Sequence, residues 1–462
     1  MTITLLLLVL LANTSPCTTA AEVSPVVEIE EDVYTYADPN NGAGPMWCSG
    51  STCLVRSGER TFATGLETVP GVAPLDNCRW FLSERQENGW HRVYSDTSGL
   101  TREPSPAAVL PNGRVFVSVN PATPAVPPKS EGIAHPDVLE FRAADIQAGP
   151  LSLTPTWQGT PKFTEHSYRT FAADSSAGEL LLFQNVGYAH AEWTFFERSG
   201  KWSAHGQLKW PWGAEYEKPQ PIRVCYPNVA LHDRAVHFVG VSDIVEPKQA
   251  WREFKRELTG RDWDYDFRRL FYTWTPDITQ KPFAEWVEIA SREETCGWIM
   301  PGDLWLAPSG DVHIVWTERA IDPRLREKFF PAAKQSHSIG YARLHEGQVI
   351  DRRAIVQEGN ARDETIASAP RLHATPDNRL FLVYLAAGRG PNNEPIFENR
   401  IQEILPGGTT GQPQTIAFTH PFINYFTATV RAGSPPSHTL EMLGQRKDVP
   451  NTISYARVRL NF

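Results

Sequence analysis

The feature that most restricts how this chain can fold is a strand–turn–strand unit that recurs from end to end. In the clearest copy, residues 223–241, apolar residues alternate with small or polar ones on both sides of a polar turn. The first strand of that copy starts at Pro227, and four further copies start 58 to 74 residues apart, at Pro106, Arg169, Pro301 and Pro370. Weaker copies at residues 52–64 and 422–443 bring the number to seven.

A repeat of this length predicts a β-propeller, because one small sheet cannot bury both of its faces and must stack on its neighbours. Each copy should be followed by two further strands, and such pairs can be found after four of the copies, so the predicted fold is all-β with seven blades. Six or eight blades are the alternatives, and the interval of 74 residues after the fourth copy has room for an eighth sheet. The last blade is one strand short, and we expect a strand within residues 26–36 to pair with residues 452–460 and close the ring.

The start of the chain has the pattern of an export signal. Residues 3–12 form an apolar run too short to span a bilayer, and small residues follow at 18–21. Residues 1–20 are therefore expected to be a signal peptide, and residues 21–462 a single propeller domain. Cys17 follows Pro16 without the small residues of a lipid-anchor site, which predicts a freely secreted or periplasmic protein. The sequence has no second long apolar run, so no membrane span is predicted.

Composition narrows the partners. The net charge of −9 argues against nucleic acid and against an anionic membrane surface. Export permits disulfides, and Cys53 with Cys78 is a plausible pair for which Cys48 competes; Cys225 and Cys296 are a second candidate pair. No spacing of Cys and His residues suggests a metal site, and no cofactor is predicted.

Propeller geometry predicts where a site would form. The inner strand of a blade begins on the face at which the second strand ends, so the residues before each inner strand and the loops after each second strand surround one mouth. Three long loops belong there: residues 120–137, 243–268 and 319–336. The second contains Trp251, Phe254 and Leu258 at helical spacing, which predicts a short helix packed on the rim of the fourth blade.

The polar residues that this geometry brings to the mouth are candidates for ligand binding. The arginines suit an anionic ligand, because a guanidinium group matches a carboxylate or sulfate in two-pronged fashion. His232, His237 and His313 lie in turn or strand positions that point elsewhere and are interpreted as structural. The candidate binding residues are Arg102, Tyr168, Arg223, Asp243, Glu318, Arg319 and Arg389, joined at the same mouth by His166, His190 and Tyr226.

The Pro or Tyr-Pro before inner strands, the Asn-Gly or Asp-Asn turns and the export signal resemble the BNR-type, sialidase-like propellers of carbohydrate-active proteins. Among these, the seven-bladed polysaccharide lyases that cleave ulvan look nearest. The resemblance implies a catalytic role for His166, His190 and Tyr226. Those lyases place an Arg where this chain has Asp243, so that Arg223 or Lys248 would have to supply the cation.

The resemblance implies recognition and cleavage of an acidic poly- or oligosaccharide by β-elimination. That reaction needs a base for the C5 proton of a uronate, a proton donor for the leaving oxygen and a cation for the developing charge. Tyr226 and His166 are candidates for the base and the donor, and Arg223 for the cation.

Two other functions remain open from the sequence. A glycoside hydrolase would use paired carboxylates, for which Asp243, Glu318 and Asp363 are candidates. A sialidase proper is disfavoured, because the Asp-box Ser-x-Asp-x-Gly-x-Thr-Trp is absent from the seven turns. A propeller that binds a glycan or a protein without catalysis is the third possibility, since the fold alone does not decide function.

Overall fold

The structure of the protein is a computed structural model that describes residues 22–47, 50–97, 99–123, 133–261, 264–358, 365–390 and 392–462. Seven four-stranded antiparallel sheets are found in this part of the chain, together with two short two-stranded ribbons. The predicted seven-bladed, all-β fold is therefore confirmed, and six or eight blades are excluded. The expected signal peptide falls outside the described residues.

The N-terminal strand β1 (Ser24–Thr35) precedes the first three blades. Within each blade the strands pair in chain order, and the first strands of successive blades pack against each other around the axis. The strands of these blades are, for blade 1, β2 (Leu54–Ser57), β3 (Arg60–Thr68), β4 (Cys78–Gln86) and β5 (Gly89–Ser95); for blade 2, β6 (Ala107–Leu110), β7 (Arg114–Val119), β8 (Asp137–Arg142) and β9 (Leu151–Ser152); and for blade 3, β10 (Thr170–Asp174), β11 (Glu179–Val186), β12 (His190–Glu197) and β13 (Lys201–Lys209). A 3₁₀ helix spans Ala143–Ala148 between β8 and β9.

Blades 4 and 5 carry the insertions. A ribbon of β14 (Trp212–Gly213) and β15 (Gln220–Pro221) precedes blade 4. Blade 4 and its insertion consist of β16 (Val224–His232), β17 (Ala235–Ser242), β18 (Ile244–Val245), helix α1 (Gln249–Thr259), β19 (Tyr265–Asp266), β20 (Arg269–Thr275) and β21 (Val287–Ser291). Blade 5 consists of β22 (Trp298–Leu306), β23 (Val312–Arg319), helix α2 (Arg326–Phe329), β24 (His337–His345) and β25 (Gln348–Glu358).

The last two blades complete the ring. Blade 6 consists of β26 (Ile366–Ala374), β27 (Leu380–Arg389), β28 (Pro395–Ile404) and β29 (Gln414–Ile416). Blade 7 consists of β30 (Phe422–Thr427), β31 (Thr439–Arg446) and β32 (Thr452–Asn461), with β1 as its outermost strand. β1 pairs antiparallel with β32 from Ser24 opposite Asn461 to Thr35 opposite Thr452, which places the first and last described strands in one sheet.

The inner strands of blades 4, 5 and 6 begin earlier than the prolines that mark them in the sequence. The pairing register shifts between Cys225 and Asn228 in blade 4, and equivalent shifts occur next to Pro301 and Pro370. Each proline thus lies at a bulge, where a residue without an N–H group costs no ladder hydrogen bond. The prediction from the sequence placed these strands correctly but started them too late.

The hydrophobic core is divided into wedges. Within the described residues, seven clusters of buried apolar side chains each join two neighbouring blades, including the pair formed by blades 7 and 1. This arrangement follows from the alternation of side chains along each strand. Successive side chains point to opposite faces of a sheet, and each face of a blade is covered by the adjacent blade.

The axis is crossed by the turn between β30 and β31. The carbonyl of Ala432 accepts a hydrogen bond from Val109 in blade 2, at 2.8 Å, and the guanidinium group of Arg431 binds Asp303 in blade 5, at 2.7 Å. At Gly433, whose φ is +84°, an added Cβ would lie 1.9 Å from the carbonyl oxygen of Val109. The turn therefore ties opposite sides of the ring together.

The predicted rim helix is α1, and Gly260 in the left-handed conformation ends it. Trp251 is buried and Phe254 packs on Phe329 of α2, whereas Leu258 is 53% exposed and does not belong to the packed face. Its place beneath the helix is taken by Lys255, a buried cation.

The disulfides proposed from the sequence are not formed. Cys53, Cys78, Cys225 and Cys296 are all buried, and none of the four is in a disulfide. The sulfur of Cys78 contacts Asn41 and Asn77, and that of Cys225 contacts Asn185, so each sits in a separate packed environment. Cys48 falls outside the described residues. None of the described helices is long and apolar enough to cross a membrane.

Candidate active site

Four side chains from different parts of the chain meet where the inner strands of blades 3 and 4 begin. We call this the upper face, and the four residues Trp47, His166, Tyr168 and Tyr226 the mouth cluster. The ring of Trp47 lies 5.9 Å from that of His166 and 5.6 Å from that of Tyr226, between ring centroids. Tyr168 lies between them, 4.4 Å from His166 and 5.1 Å from Tyr226. The structure therefore brings the predicted His166 and Tyr226 to one site, where Tyr168 and Trp47 each contact both of them.

The backbone at this cluster is unusual. Tyr168 has φ of +45° and Tyr226 has φ of +51°, although neither is a glycine. Non-glycine residues rarely adopt this left-handed region, which costs free energy that the surrounding structure must supply. In blade 4 the bulge before Asn228 provides the turn that directs the Tyr226 ring to the mouth. Ala369, before Pro370 in blade 6, has the same φ of +51°, so the conformation of Tyr226 belongs to the bulge that these blades share.

His166 has two competing partners at one ring nitrogen. Its Nδ1 lies 2.7 Å from a guanidinium nitrogen of Arg102 and 3.2 Å from a carboxylate oxygen of Glu103. Because Arg102 has only donors, Nδ1 accepts when it binds Arg102, whereas it must carry a proton to bind Glu103. The imidazole side chain is about one quarter exposed, so its other nitrogen can face a ligand.

Glu103 is fixed from below. Its carboxylate accepts hydrogen bonds from the Ser167 backbone N–H, at 3.1 Å, and from the Ser167 hydroxyl, at 2.5 Å. Burial opposes ionisation of Glu103, but the hydrogen bonds and charge of His166, Ser167 and Arg169 outweigh it and hold the pKa below its ordinary value. A buried carboxylate that stays ionised and is held by two donors is suited to orient an imidazole.

A buried ion pair supports Tyr168. Asp243 accepts hydrogen bonds from the Tyr168 hydroxyl and from a guanidinium nitrogen of Arg223, both at 2.8 Å. Burial, together with the neighbouring Cys225, Tyr226 and Asp243, raises the pKa of Tyr168 far above its ordinary value, so its hydroxyl stays protonated. Arg223 is therefore neutralised by Asp243 and is not a free cation at the mouth.

Two tyrosines extend the site towards the rim, and we call Tyr188 and Tyr265 the rim platform. Their hydroxyl groups lie 2.8 Å apart, and the guanidinium group of Arg223 stacks 3.8 Å from the centroid of the Tyr188 ring. Tyr188 is 51% exposed although it is an aromatic residue held in place on both sides. Exposed, rigid aromatic rings of this kind are typical of ligand contact surfaces.

Other predicted site residues lie apart from the mouth cluster. His190 begins the third strand of blade 3, where its Nε2 lies 2.7 Å from Glu192. Glu318 is bound by Arg292 and by the indole N–H of Trp316. Arg319 is half-buried at the end of β23, and the exposed Arg389 binds Asn393 of its own loop. Asp363 is outside the part of the chain that the structure describes.

The sequence did not reveal four of the residues that build the site. Trp47 comes from a loop before the first blade, and its place at the mouth depends on contacts across the axis, where Gly50 packs on the carbonyl oxygen of Pro227. Glu103 follows Arg102 directly and could have been proposed from that position. Tyr188 and Tyr265 lie in loops after second strands, the loop class that was expected to reach the mouth, but their residue type alone gave no signal.

Cavities occur on both faces. One of about 350 Å³ adjoins Trp47 on the upper face and is lined mainly by the loop that carries it. Another, of about 360 Å³, opens on the lower face around the turn of blade 7 and is lined by none of the predicted site residues. Asp174, His232 and Asp233 at its edge have oxygen or nitrogen atoms within 4.8 Å of one another, an arrangement that suits a cation. Asp174 already accepts backbone N–H groups there, which gives it a role in the turn.

The similarities of this chain to known proteins are found among solved structures and not among family models or curated sequences. No family model matches the chain, and no curated protein sequence matches it. Solved structures with some likeness include an α-L-arabinofuranosidase of Fusarium graminearum and an α-L-arabinanase of Penicillium chrysogenum, each 11% identical with a TM-score of 0.39, covering 76% of this chain and 91% of the other. A chain in a Saccharomyces cerevisiae complex of Dbp5 with Nup159 and Gle1 is 7% identical with a TM-score of 0.40, and the match covers 96% of this chain and 96% of that one. At such values the function has to be argued from the residues of this chain.

Proposed function

We propose that this protein is a carbohydrate-active propeller that binds a glycan at the mouth cluster and cleaves it by β-elimination at a uronate. The observation that carries the proposal is the position of His166, between Arg102 and Glu103 and beside Tyr168 and Trp47. An imidazole oriented by a fixed carboxylate, with Tyr226 of the next blade at the same mouth beyond Tyr168, is an arrangement for proton transfer.

The proposed reaction uses two proton-transfer groups. Nε2 of His166 takes the C5 proton of the uronate while Glu103 accepts a hydrogen bond from Nδ1–H and stabilises the imidazolium. The C4–O bond breaks with its electron pair leaving on oxygen, a C4–C5 double bond forms, and the hydroxyl group of Tyr226 protonates the leaving oxygen. Solvent then carries the proton from His166 back to the tyrosinate. No water enters the product.

Arg102 is the cation proposed for the uronate carboxylate. The sequence favoured Arg223, but that side chain is paired with the buried Asp243. Arg102 donates to Nδ1 of His166 and to the carbonyl oxygen of Asn41, at 2.9 Å. A ligand carboxylate that binds Arg102 would remove this donor from Nδ1 of His166. Nδ1 could then carry the proton and donate it to Glu103, which leaves Nε2 unprotonated to act as the base.

A glycoside hydrolase is the second candidate. Two carboxylates flank Arg102 and His166, since Glu165 lies 3.9 Å from Arg102 and Glu103 lies 3.2 Å from His166. Paired carboxylates are the groups that most hydrolases of this kind use. The carboxylates proposed from the sequence support this function less, because Asp243 and Glu318 are engaged by arginines in different places. Solved structures of low similarity are named as an α-L-arabinofuranosidase, an α-L-arabinanase and an endo-arabinase, which makes arabinan a useful neutral substrate to test.

The test follows ultraviolet absorbance and new reducing ends together while the protein is incubated with polygalacturonate, alginate, ulvan or linear arabinan. For a uronate polymer we expect both signals to rise, and we expect His166→Ala and Tyr226→Phe to lower the rate at least about 100-fold. His345→Ala is the matched control, because this exposed histidine lies at the lower end of β24, bound to Asp311.

Each alternative outcome has a distinct meaning. Reducing ends without absorbance would indicate hydrolysis and turn attention to Glu103 and Glu165. Retention of full cleavage by both mouth variants would refute the assignment of the site. Binding without turnover, measured by affinity electrophoresis in the same polymers, would identify a glycan-binding propeller.

A further inference from the structure

An exposed tryptophan lies on the upper face beyond the rim platform. Trp212 begins the short ribbon of β14 and β15 between blades 3 and 4, and 60% of its surface is exposed. Most large aromatic residues of this chain are packed between blades. The indole ring of Trp212 is therefore available to contact a ligand.

The ribbon that carries Trp212 is rigid. Its neighbours Trp210 and Tyr216 are buried, and the Tyr216 hydroxyl accepts a hydrogen bond from Arg269, at 3.1 Å. Gly213 fits closely under Tyr216, since an added Cβ would lie 2.5 Å from that ring. The ribbon thus holds its exposed aromatic residue in a fixed position, which lowers the entropy lost when a ligand binds.

The ribbon starts next to the loop of Tyr188. Lys209, three residues before Trp212, pairs with His190, which is two residues after Tyr188. The carbonyl oxygen of Lys209 also accepts the indole N–H of Trp286, at 2.9 Å, so this edge of the upper face is well fixed. Trp212 and Tyr188 therefore emerge from adjacent strands at the same edge of blade 3.

We infer that Trp212, the rim platform and the mouth cluster form one path for an extended glycan chain across the upper face of blades 3 and 4. The inference rests on the proposed function, and it adds that the substrate is a polymer or long oligosaccharide rather than a mono- or disaccharide. Sugar rings present apolar C–H faces that stack on aromatic rings, so Trp212 would bind a unit several residues away from the bond at His166.

The path is tested by the dependence of affinity on chain length. Calorimetric titration would compare di- and hexasaccharides of galacturonate and of α-1,5-linked arabinose. We expect Trp212→Ala to weaken hexasaccharide binding about 10-fold or more and to change disaccharide binding less than 2-fold, while Trp212→Phe keeps most of the affinity. Phe462→Ala is the matched control, because this exposed aromatic residue lies at the opposite face, after β32.

The outcomes separate this inference from the function beneath it. If hexasaccharides bind and Tyr226→Ala weakens them while Trp212→Ala does not, the path is refuted and the mouth remains. If no saccharide of either length binds the unaltered protein, the proposed function fails and the path fails with it. Loss of a dimer in Trp212→Ala, seen by light scattering, would identify Trp212 as a self-association contact and refute the path.

Discussion

Two groups of charged residues on the upper face differ in how completely their charges are paired. Beneath α1 lies the helix network, formed by Glu246, Lys255, Asp266, Arg268 and Glu293. Glu246 is completely buried and accepts hydrogen bonds at 2.8 Å from both Arg268 and Lys255. In the mouth cluster, by contrast, one nitrogen of the partly exposed His166 has two rival partners.

This difference separates a structural role from a functional one. In the helix network each buried cation faces a carboxylate, and neither Lys255 nor Glu246 has surface left for a ligand. At the mouth, binding of a ligand can replace one of two competing contacts at little cost. Charge alone therefore does not mark the site; exchangeable partners do.

The largest expected effect comes from breaking the helix network. Glu246→Gln leaves Arg268 and Lys255 buried without their shared carboxylate, so we expect the free energy of unfolding to fall by about 3–5 kcal/mol, measured by urea denaturation. Glu293→Gln is the control, because Glu293 is partly exposed and its loss should cost about 1 kcal/mol or less. Equal costs for the two variants would show that burial does not distinguish these carboxylates.

The two regions should also respond to pH in opposite directions. Burial raises the pKa of Asp266 to about 7, with Glu293 and Glu246 adding to the shift against the opposing effect of Arg268. The unfolded chain then ionises at lower pH than the folded one, so Asp266 destabilises the fold increasingly as pH rises from about 4 to 7. We expect the free energy of unfolding of Asp266→Asn, measured by urea denaturation, to rise relative to that of the unaltered protein. The expected rise is roughly 1.4 kcal/mol per pH unit over that range.

Glu103 provides the opposite sign. Its pKa is lowered in the folded protein, so its stabilising effect is present above the ordinary carboxyl range and is lost as pH falls through the lowered value. The difference in unfolding free energy between the unaltered protein and Glu103→Gln should therefore shrink on acidification below pH of about 4.5. Parallel pH profiles for the Asp266 and Glu103 variants would contradict the comparison.

The smallest effect is expected at His190. Its Nε2 is engaged by Glu192, which also accepts a hydrogen bond from Gln207 in the neighbouring strand, at 2.7 Å. The resemblance to lyases implied a catalytic role for this residue. If His190 instead only stabilises the third strand of blade 3, His190→Asn should lower the cleavage of polygalacturonate less than about 10-fold. A loss as large as that of His166→Ala would instead restore His190 to the catalytic set.

Much of the fold followed from the sequence. The spacing of the repeats gave seven blades, and the missing strand in the last repeat pointed to the N-terminal segment that pairs with β32. These features are encoded locally, because a strand pair with a tight turn has the same alternation wherever it stands in the chain. The starts of the inner strands were missed in blades 4 to 6, since a bulge at a proline has no alternation of its own.

The candidate site could be predicted from the sequence only in part. His166, Tyr168 and Tyr226 were found, because each stands just before or within the start of an inner strand and propeller geometry sends all such positions to one face. Their neighbour Trp47 was not, since nothing in residues 37–47 indicates which blade the loop will cross. The pairing of Arg223 with Asp243 was missed for a similar reason: sequence gives the charges that reach a face but not the distances between them.

The sequence by itself determined the architecture of this protein, through periodic strand pairs whose apolar faces must stack on neighbouring copies. The tertiary structure alone decided which polar residues are sequestered and which can meet a ligand. Lys255 ended beneath a helix and Leu258 outside it, contrary to their side-chain chemistry, because Glu246 and Asp264 were there to pair the buried amine. Both carboxylates lie only nine residues from Lys255 in the chain, but the order of residues does not show that the insertion folds back and brings them beneath the helix.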